Sequence, residues 1–501
     1  MKKSVLIFGG GLSGLASGIE LLKSGYEPLI LEKNSNAGGL CSSYKKDGVN
    51  IDLCIHWITD TKNDLVRNYY DEYKLFTDSD IIELPYFYRF YYENEVIEIS
   101  RDQESFKNIL YGYSTKKDKK YLDRFFYSVS KLGHLPLTTL KPMEIMKNSE
   151  LFKTGMMYFK LAKPYRMMSK YSVEEFANKF ESQILKEFFK SFMPNYYSFV
   201  YLCGLLAKYF YGKADILNMS SSNFSNNLLN IYLELGGKII YNSPITKINI
   251  KDNIITGVNV FDKEYKADYY INTLSLPYFY KNLIDDKYID KKTYNKLIDY
   301  KNNPTLSAFI IAYKISKEYK DDLSHYFIIN NKNKIKCANN INPSIGFRGY
   351  PYLRNDDGSQ TLIAIIDQNE LDYNYWSNLS KEELEEKKNI IANNVLELLF
   401  DKFGCLKDYI SIVDIICPLD IEKRYNAYKG SYLSNICTTH STRGMLKFRS
   451  KNIKNLYLSG QWVSTIGGIP CALQNGKFAS MVLNYDENKK KINKKWFSFI
   501  F

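Results

Sequence analysis

The stretch SVLIFGGGLSGLASGIELLKSGYEPLILEKN, residues 4–34, decides the fold. Ser4–Phe8 is a short apolar run, the pattern of a buried strand. Leu15, Ile19 and Leu22 then recur at helical spacing over 13–24, and Gly25 closes the helix. A second apolar run, residues 27–33, ends in an acid. The order strand, glycine turn, helix, strand is a βαβ unit opening a doubly wound parallel sheet. Its turn reads Gly9-x-Gly11-x-x-Gly14, followed by Gly18. Gly9 permits the tight turn, Gly11 lets the backbone approach a pyrophosphate, and Gly14 and Gly18 let the helix lie close on the sheet. The helix start, with Leu12 and Ser13, offers N–H groups and a partial positive charge to phosphate. Glu32, beside Lys33 at the end of the second strand, is placed to accept from both ribose hydroxyls, and its charge disfavours a 2′-phosphate. This loop binds the ADP half of a dinucleotide.

A second glycine pair, Gly38 and Gly39, selects FAD over NAD. It suits a cofactor whose ribityl and ring portions extend further under the sheet. The same texture returns twice. Residues 226–274 read as a helix ending at Gly236-Gly237 followed by strands, and residues 455–485 as strand, glycine turn and helix. The expectation is an α/β protein with a discontinuous Rossmann-like FAD-binding domain (1–75, 215–289 and 451–488). An α+β substrate domain (76–214 and 290–450) is inserted in it, and a basic-aromatic tail spans 489–501. Within the insert, 173–192 and 381–403 read as helices and 305–315 as a strand.

With 501 residues, 45% of them hydrophobic, the chain can bury more than one core, and its 44 Tyr and 29 Phe predict an interior lined with rings. No apolar run reaches membrane-spanning length, since 196–212 is interrupted by Lys208. Eight scattered cysteines without a CxxC pair and four dispersed histidines (56, 134, 325 and 440) argue against disulfides and a metal site. The net charge of +13 is uneven. Residues 151–171 hold five basic residues and no acid among Phe, Met, Leu and Tyr, and 489–501 hold five lysines followed by Trp496, Phe497, Phe499, Ile500 and Phe501. Basic heads beside apolar anchors suit an anionic bilayer surface. A cytoplasmic protein peripheral on the inner membrane face is expected, with no nucleic-acid partner.

Three blocks carry a family likeness. They are the GxGxxGxxxG, E-x(5)-GG and GVNIDLCIHWI (48–58) motifs, the middle segment 235–273, and IEKRYNAYKGSY (421–432) with LYLSGQWVSTIGGIPCALQNGK (456–477). The chain resembles the phytoene desaturase, retinol saturase and carotenoid isomerase group within the FAD-dependent amine oxidase superfamily. The resemblance implies a resident, non-covalent FAD. Gly9, Gly11, Gly14 and Glu32 would hold the ADP half, and Gly38 and Gly39 the ribityl region. A strand beginning at Ile245 would lie against adenine, and Gly460 against the pyrophosphate or ribityl chain. Gly467, Gly468 and Ile469 would lead a helix, with Pro470 in its first turn, whose positive end stabilises reduced flavin. Three positions depart from the pattern: Leu40 replaces Arg, Gln461 replaces an acid, and Ser220-Ser221-Ser222 replaces a glycine pair on the substrate-side wall. Gln461 retains an amide for a ribityl hydroxyl or phosphate.

Hydride transfer to flavin needs a dry slot and a well-placed C–H bond more than a strong base. His56 and Trp462 are the candidates for flavin-proximal catalytic side chains. Asp52 reads as a structural acceptor, and Tyr425, Tyr428 and Tyr432 as cavity walls. The function expected is hydride transfer between flavin and a carbon–carbon bond of a hydrophobic isoprenoid or lipid (a polyene among them), by desaturation, saturation or isomerisation. The alternative is an amine oxidase or a protoporphyrinogen oxidase-like enzyme. No second dinucleotide fingerprint identifies the electron partner.

Overall fold

The structure, a computed structural model, describes residues 2–62, 65–133, 139–320, 323, 325–465 and 467–500; the side chains of 332, 333, 351, 352 and 491–500 lie outside that description, as does His134. Ser4–Phe8 pairs in parallel with Glu27–Leu31, Val5 opposite Pro28 and Ile7 opposite Ile30. Lys238–Ile240 extends this sheet beyond Glu27–Leu31, and Tyr269–Asn272 then Leu456–Leu458 extend it on the other side, all in parallel. Val5 to Phe8 are buried without alternation, as a strand covered on both faces requires. One sheet thus draws strands from three separated stretches of chain, and the carboxyl ends of its strands converge on one edge.

The helix Leu12–Lys23 packs against Ser221–Glu234 and the C-terminal helix Ile469–Ile500. The glycines divide the work differently from the sequence expectation. A Cβ on Gly14 would stand 2.1 Å from the Gly9 carbonyl oxygen, so this position tightens the turn itself, with Ile7 of the sheet 3.4 Å away. A Cβ on Gly18 would stand 2.5 Å from the Tyr232 ring, so this position serves contact between helices. The tail is continuous with the last helix, whose backbone runs unbroken from Ile469 to Ile500. The expected strand at Ile245 begins at Lys247, in a separate antiparallel sheet of three strands.

A second sheet of seven strands runs in the order Ile410–Ile416, Ser307–Ile315, Gln360–Gln368, Asn340–Arg354, Tyr326–Cys337, Tyr86–Tyr92, Glu95–Ser100. Alternate residues split its faces. Phe309, Ile311 and Tyr313 pack in the core beneath the helix Lys381–Lys402, whereas Ala308, Ile310 and Ala312 lie on the other face with Val49 and Ile51. The helix expected over 173–192 is two, Val173–Ala177 and Gln183–Lys190. At the break Asp118 accepts hydrogen bonds from the Glu181 and Ser182 amides at 2.7 and 3.1 Å. Among the described residues no helix is long and apolar enough to cross a membrane, and the eight cysteines are free thiols.

Candidate active site

Phe8, Leu31, Asn272 and Leu458 end their strands at the same edge, and the residues just beyond them, Gly9, Glu32, Thr273 and Gly460, line one elongated cavity. The carboxyl edge of a parallel sheet is where a doubly wound fold binds its ligand. Gly11 is the N-cap of the first helix, no side chain caps that helix, and no acid sits in its first turn. Its leading N–H groups are left for an anion. Gly38, at φ +107°, donates from its amide to the Gly10 carbonyl at 2.9 Å. Gly39 follows at φ +59°, and a Cβ there would lie 3.2 Å from Gly11 Cα. The two glycine turns are therefore pressed together, with a floor of bare backbone.

Glu32 is 4% exposed. One carboxylate oxygen accepts from Gly10 N–H at 2.7 Å and the other from Asn34 N–H at 2.8 Å. Burial raises its pKa, opposed by these backbone bonds. Glu32 lines the cavity, and a carboxylate oxygen that accepts one bond retains capacity for a second, as ribose hydroxyls require. An uncapped helix start, a glycine floor and a buried acid on one cavity fit the ADP half of FAD.

Gly9, Gly11, Leu12, Ser13, Lys33, Leu40, Ile245, Gly460, Gln461, Trp462, Gly468 and Ile469 share this cavity with Glu32, Gly38 and Gly39. Gly14 lies behind it. Gly467 lines the neighbouring cavity instead. Several polar groups are already committed. The Gly460 amide donates to Ser13 Oγ at 2.9 Å, so Gly460 offers the cavity its φ +84° turn and not its N–H. The Gln461 amide nitrogen donates to the Tyr432 carbonyl at 3.2 Å and its oxygen accepts from Gly468 N–H at 3.4 Å. It therefore braces two loops at the cavity wall. Lys33 directs its ammonium to the Lys423 carbonyl and Asn426 Oδ1, and burial lowers its pKa.

A second cavity of about 390 Å³ adjoins the first, sharing Leu40, Cys54, Tyr425, Tyr432, Gly468 and Ile469 with it. Leu53, Ile58, Val66, Ile310 and Ile421 supply its walls, and no Asp, Glu, Lys or Arg lines it among the described residues. His56 lies on this cavity beside Trp57. Burial lowers the His56 pKa to about 3, and its Nδ1 has no hydrogen-bond partner among the described residues. Trp462 lies on the dinucleotide cavity and His56 on the one that adjoins it. Tyr428 lines neither cavity and packs edge-on against Trp462 at 6.2 Å. Asp52 accepts from Ser221 N and Oγ at 2.6 and 2.5 Å, and from Cys54 N at 3.0 Å. Ser222 bonds the Ser43 backbone. The serine run thus ties the middle helix to the first strands and lines neither of these two cavities.

Two groups escaped sequence reading. Thr273, Leu274 and Ser275 reach the cavity because their strand ends at the shared edge, a signal present in the apolar run DYYIN before them. Arg443 is buried and donates to the Trp462 and Ser464 carbonyls and to Asn435 Oδ1, fixing the glycine turn around Trp462. Burial lowers its pKa to about 10.

The family profile for flavin containing amine oxidoreductases matches residues 12–484. The chain is 25% identical over 520 residues to a 4,4′-diaponeurosporene oxygenase of Staphylococcus haemolyticus, covering 97% of this chain and 98% of that one. Its fold is similar to putrescine oxidase with bound putrescine (TM-score 0.61, 13% identity, 96% of this chain and 99% of that one). It is also similar to cyclohexylamine oxidase from Brevibacterium oxydans (TM-score 0.59, 12% identity, 97% and 100%). A dinucleotide cradle at the edge of a doubly wound sheet, within a profile spanning nearly the whole chain, makes this protein an FAD-dependent oxidoreductase belonging to the flavin-containing amine oxidoreductase family.

Proposed function

We propose that the enzyme transfers hydride between FAD and a carbon–carbon bond of a hydrophobic isoprenoid or lipid, by desaturation, saturation or isomerisation. The observation that carries this reading is the uncharged second cavity, which adjoins the dinucleotide cavity through Leu40, Cys54, Tyr425, Tyr432, Gly468 and Ile469. An ammonium ion buried there would meet no carboxylate among the described lining residues, at a cost of several kcal/mol. A hydrocarbon meets no such cost and gains from burial. The relative named for 4,4′-diaponeurosporene supports the same substrate class, and its name adds oxygenation to the outcomes a test must separate.

Bound FAD supplies a two-electron acceptor or donor. The first helix and Glu32 would hold its ADP half, and Gly38 and Gly39 its middle. Leu53, Ile58, Val66 and Ile310 exclude water from the reacting carbon atoms. Tyr425 and Tyr432 border both cavities, and the Tyr425 hydroxyl is held by Ser42 Oγ at 3.0 Å, so its ring has a fixed place at the junction. His56 is neutral and presents a polar edge without a charge. The test is anaerobic mixing of oxidised, FAD-loaded enzyme with polyenes, saturated isoprenoids and primary amines, followed by absorbance and product mass. Bleaching by an isoprenoid, with a two-hydrogen loss in the product, is expected. Bleaching by amines alone would overturn the reading.

A further inference from the structure

The segment 139–170 arches over the outside of the protein with its apolar side outward. Its helix Asn148–Lys160 buries no residue. At about 100° per residue, Leu151, Phe152, Gly155, Met156, Tyr158 and Phe159 fall within an arc of roughly 160°. Such a stripe ordinarily faces a core. Here Glu150, Thr154 and Met157 are the half-buried positions, while Phe152 and Phe159 are 70% and 73% exposed. Leu140, 72% exposed, and Met143 extend the apolar surface ahead of the helix. Contiguous apolar exposure of this kind marks an interaction site.

The arch is held rather than loose. Tyr69 donates to the Thr139 carbonyl at 3.2 Å, Glu144 pairs with Arg449 at 2.8 Å, and Pro164 and Met168 are buried. Its rim is positive. Lys153 and Lys160 border the stripe, Lys163, Arg166 and Lys170 follow, and no acid occurs from 151 to 171. The acids just ahead of it are engaged, Glu144 with Arg449 and Glu150 with Lys141 at 2.7 Å, and Glu175 beyond it accepts from the Ser172 N–H at 2.8 Å.

We propose that this face docks on an anionic phospholipid bilayer, with Phe152, Met156 and Phe159 below the headgroups and the five basic residues among the phosphates. A second copy of the chain is disfavoured as occupant, because a two-fold contact would set one basic rim against the other. The bilayer satisfies ring and charge together. The arch is also tied to the second cavity, since Tyr69, which holds Thr139, shares the helix Leu65–Glu72 with the cavity residue Val66.

The test is flotation of the FAD-loaded full chain with vesicles of phosphatidylcholine alone or mixed with phosphatidylglycerol. Binding only to the mixed vesicles, weakened by salt, is expected. The variants F152S/F159S and K153E/K160E should each lower the bound fraction by about tenfold or more, with flavin absorbance and melting unchanged, since these side chains lie outside the core. Equal binding by wild type and both variants would overturn the proposal. So would a lipid-free dimer that F152S/F159S dissolves, or binding abolished by deleting 489–501 while the arch variants still float.

Discussion

Replacing Glu32 by Gln tests whether this buried acid organises the cofactor loop. The carboxylate accepts two backbone N–H groups, one on each oxygen, at 2.7 and 2.8 Å. A carboxamide is isosteric but offers one acceptor oxygen, so its NH2 must face either Gly10 N–H or Asn34 N–H. The variant loses one charge-assisted bond and strands one buried donor. The loss is about 2–4 kcal/mol, offset in part by removing the charge whose burial raises the Glu32 pKa. A net destabilisation of about 2 kcal/mol in the FAD-free protein is expected, read by urea unfolding followed through tryptophan fluorescence. FAD affinity should fall separately, by about tenfold for each 1.4 kcal/mol by which ribose binding weakens, read as the flavin-to-protein ratio after gel filtration. Glu27→Gln, on the exposed start of the same strand, is the control. An E32Q protein that unfolds like wild type and retains stoichiometric flavin would refute the assignment of Glu32 to either role.

Gly14→Ala places a methyl 2.1 Å from the Gly9 carbonyl, where backbone cannot yield; a loss of about 1–3 kcal/mol and a flavin-poor protein are expected in melting and absorbance, whereas Gly112→Ala, with nothing within 4 Å, should be near neutral. Ser221→Ala removes the acceptor of Ile55 N–H and a donor to Asp52, and should cost about 1–3 kcal/mol in urea unfolding with the flavin spectrum retained. Asp367 is held by the Tyr432 hydroxyl at 3.3 Å, with Tyr88, Tyr196, Tyr197 and Tyr326 nearby, and burial raises its pKa from 3.8 to about 6. A raised folded pKa gives stability that is full below the unfolded value and lost as pH rises through the folded one. Wild type should therefore lose up to about 3 kcal/mol relative to Asp367→Asn between pH 4 and pH 7; parallel curves for the two proteins would contradict this.

What could be read from sequence was local. Ser4–Phe8, the glycine turn and Glu32 lie within one βαβ unit, where period and glycine spacing are sufficient to place every part. The glycine pair at 38 and 39 needed only one further turn. Partners across the chain left no such mark. Ser13 takes the Gly460 amide over 447 residues, so a position expected to touch cofactor offers only its bend. Gln461, read as a substitute for an acid on the ribityl chain, also ties Tyr432 to Gly468 across the cavity wall. The break in the helix expected over 173–192 carries a loop interaction with Asp118 that no periodicity encodes.

The arch at 139–170 shows the same boundary from the other side. Hydrophobic spacing identifies a stripe but is blind to its direction, because the same pattern serves a helix packed inward and one turned outward. Charge resolves part of that ambiguity: five basic residues with no acid cannot all lie against a core, yet they could have rimmed a buried stripe. Thr154 and Met157 on the inner side, with Phe152 and Phe159 outside, settle the direction. A helix inverted in this way, and pinned by Tyr69 and Arg449, presents an apolar surface with a positive rim, the pairing on which the proposed contact with an anionic bilayer rests.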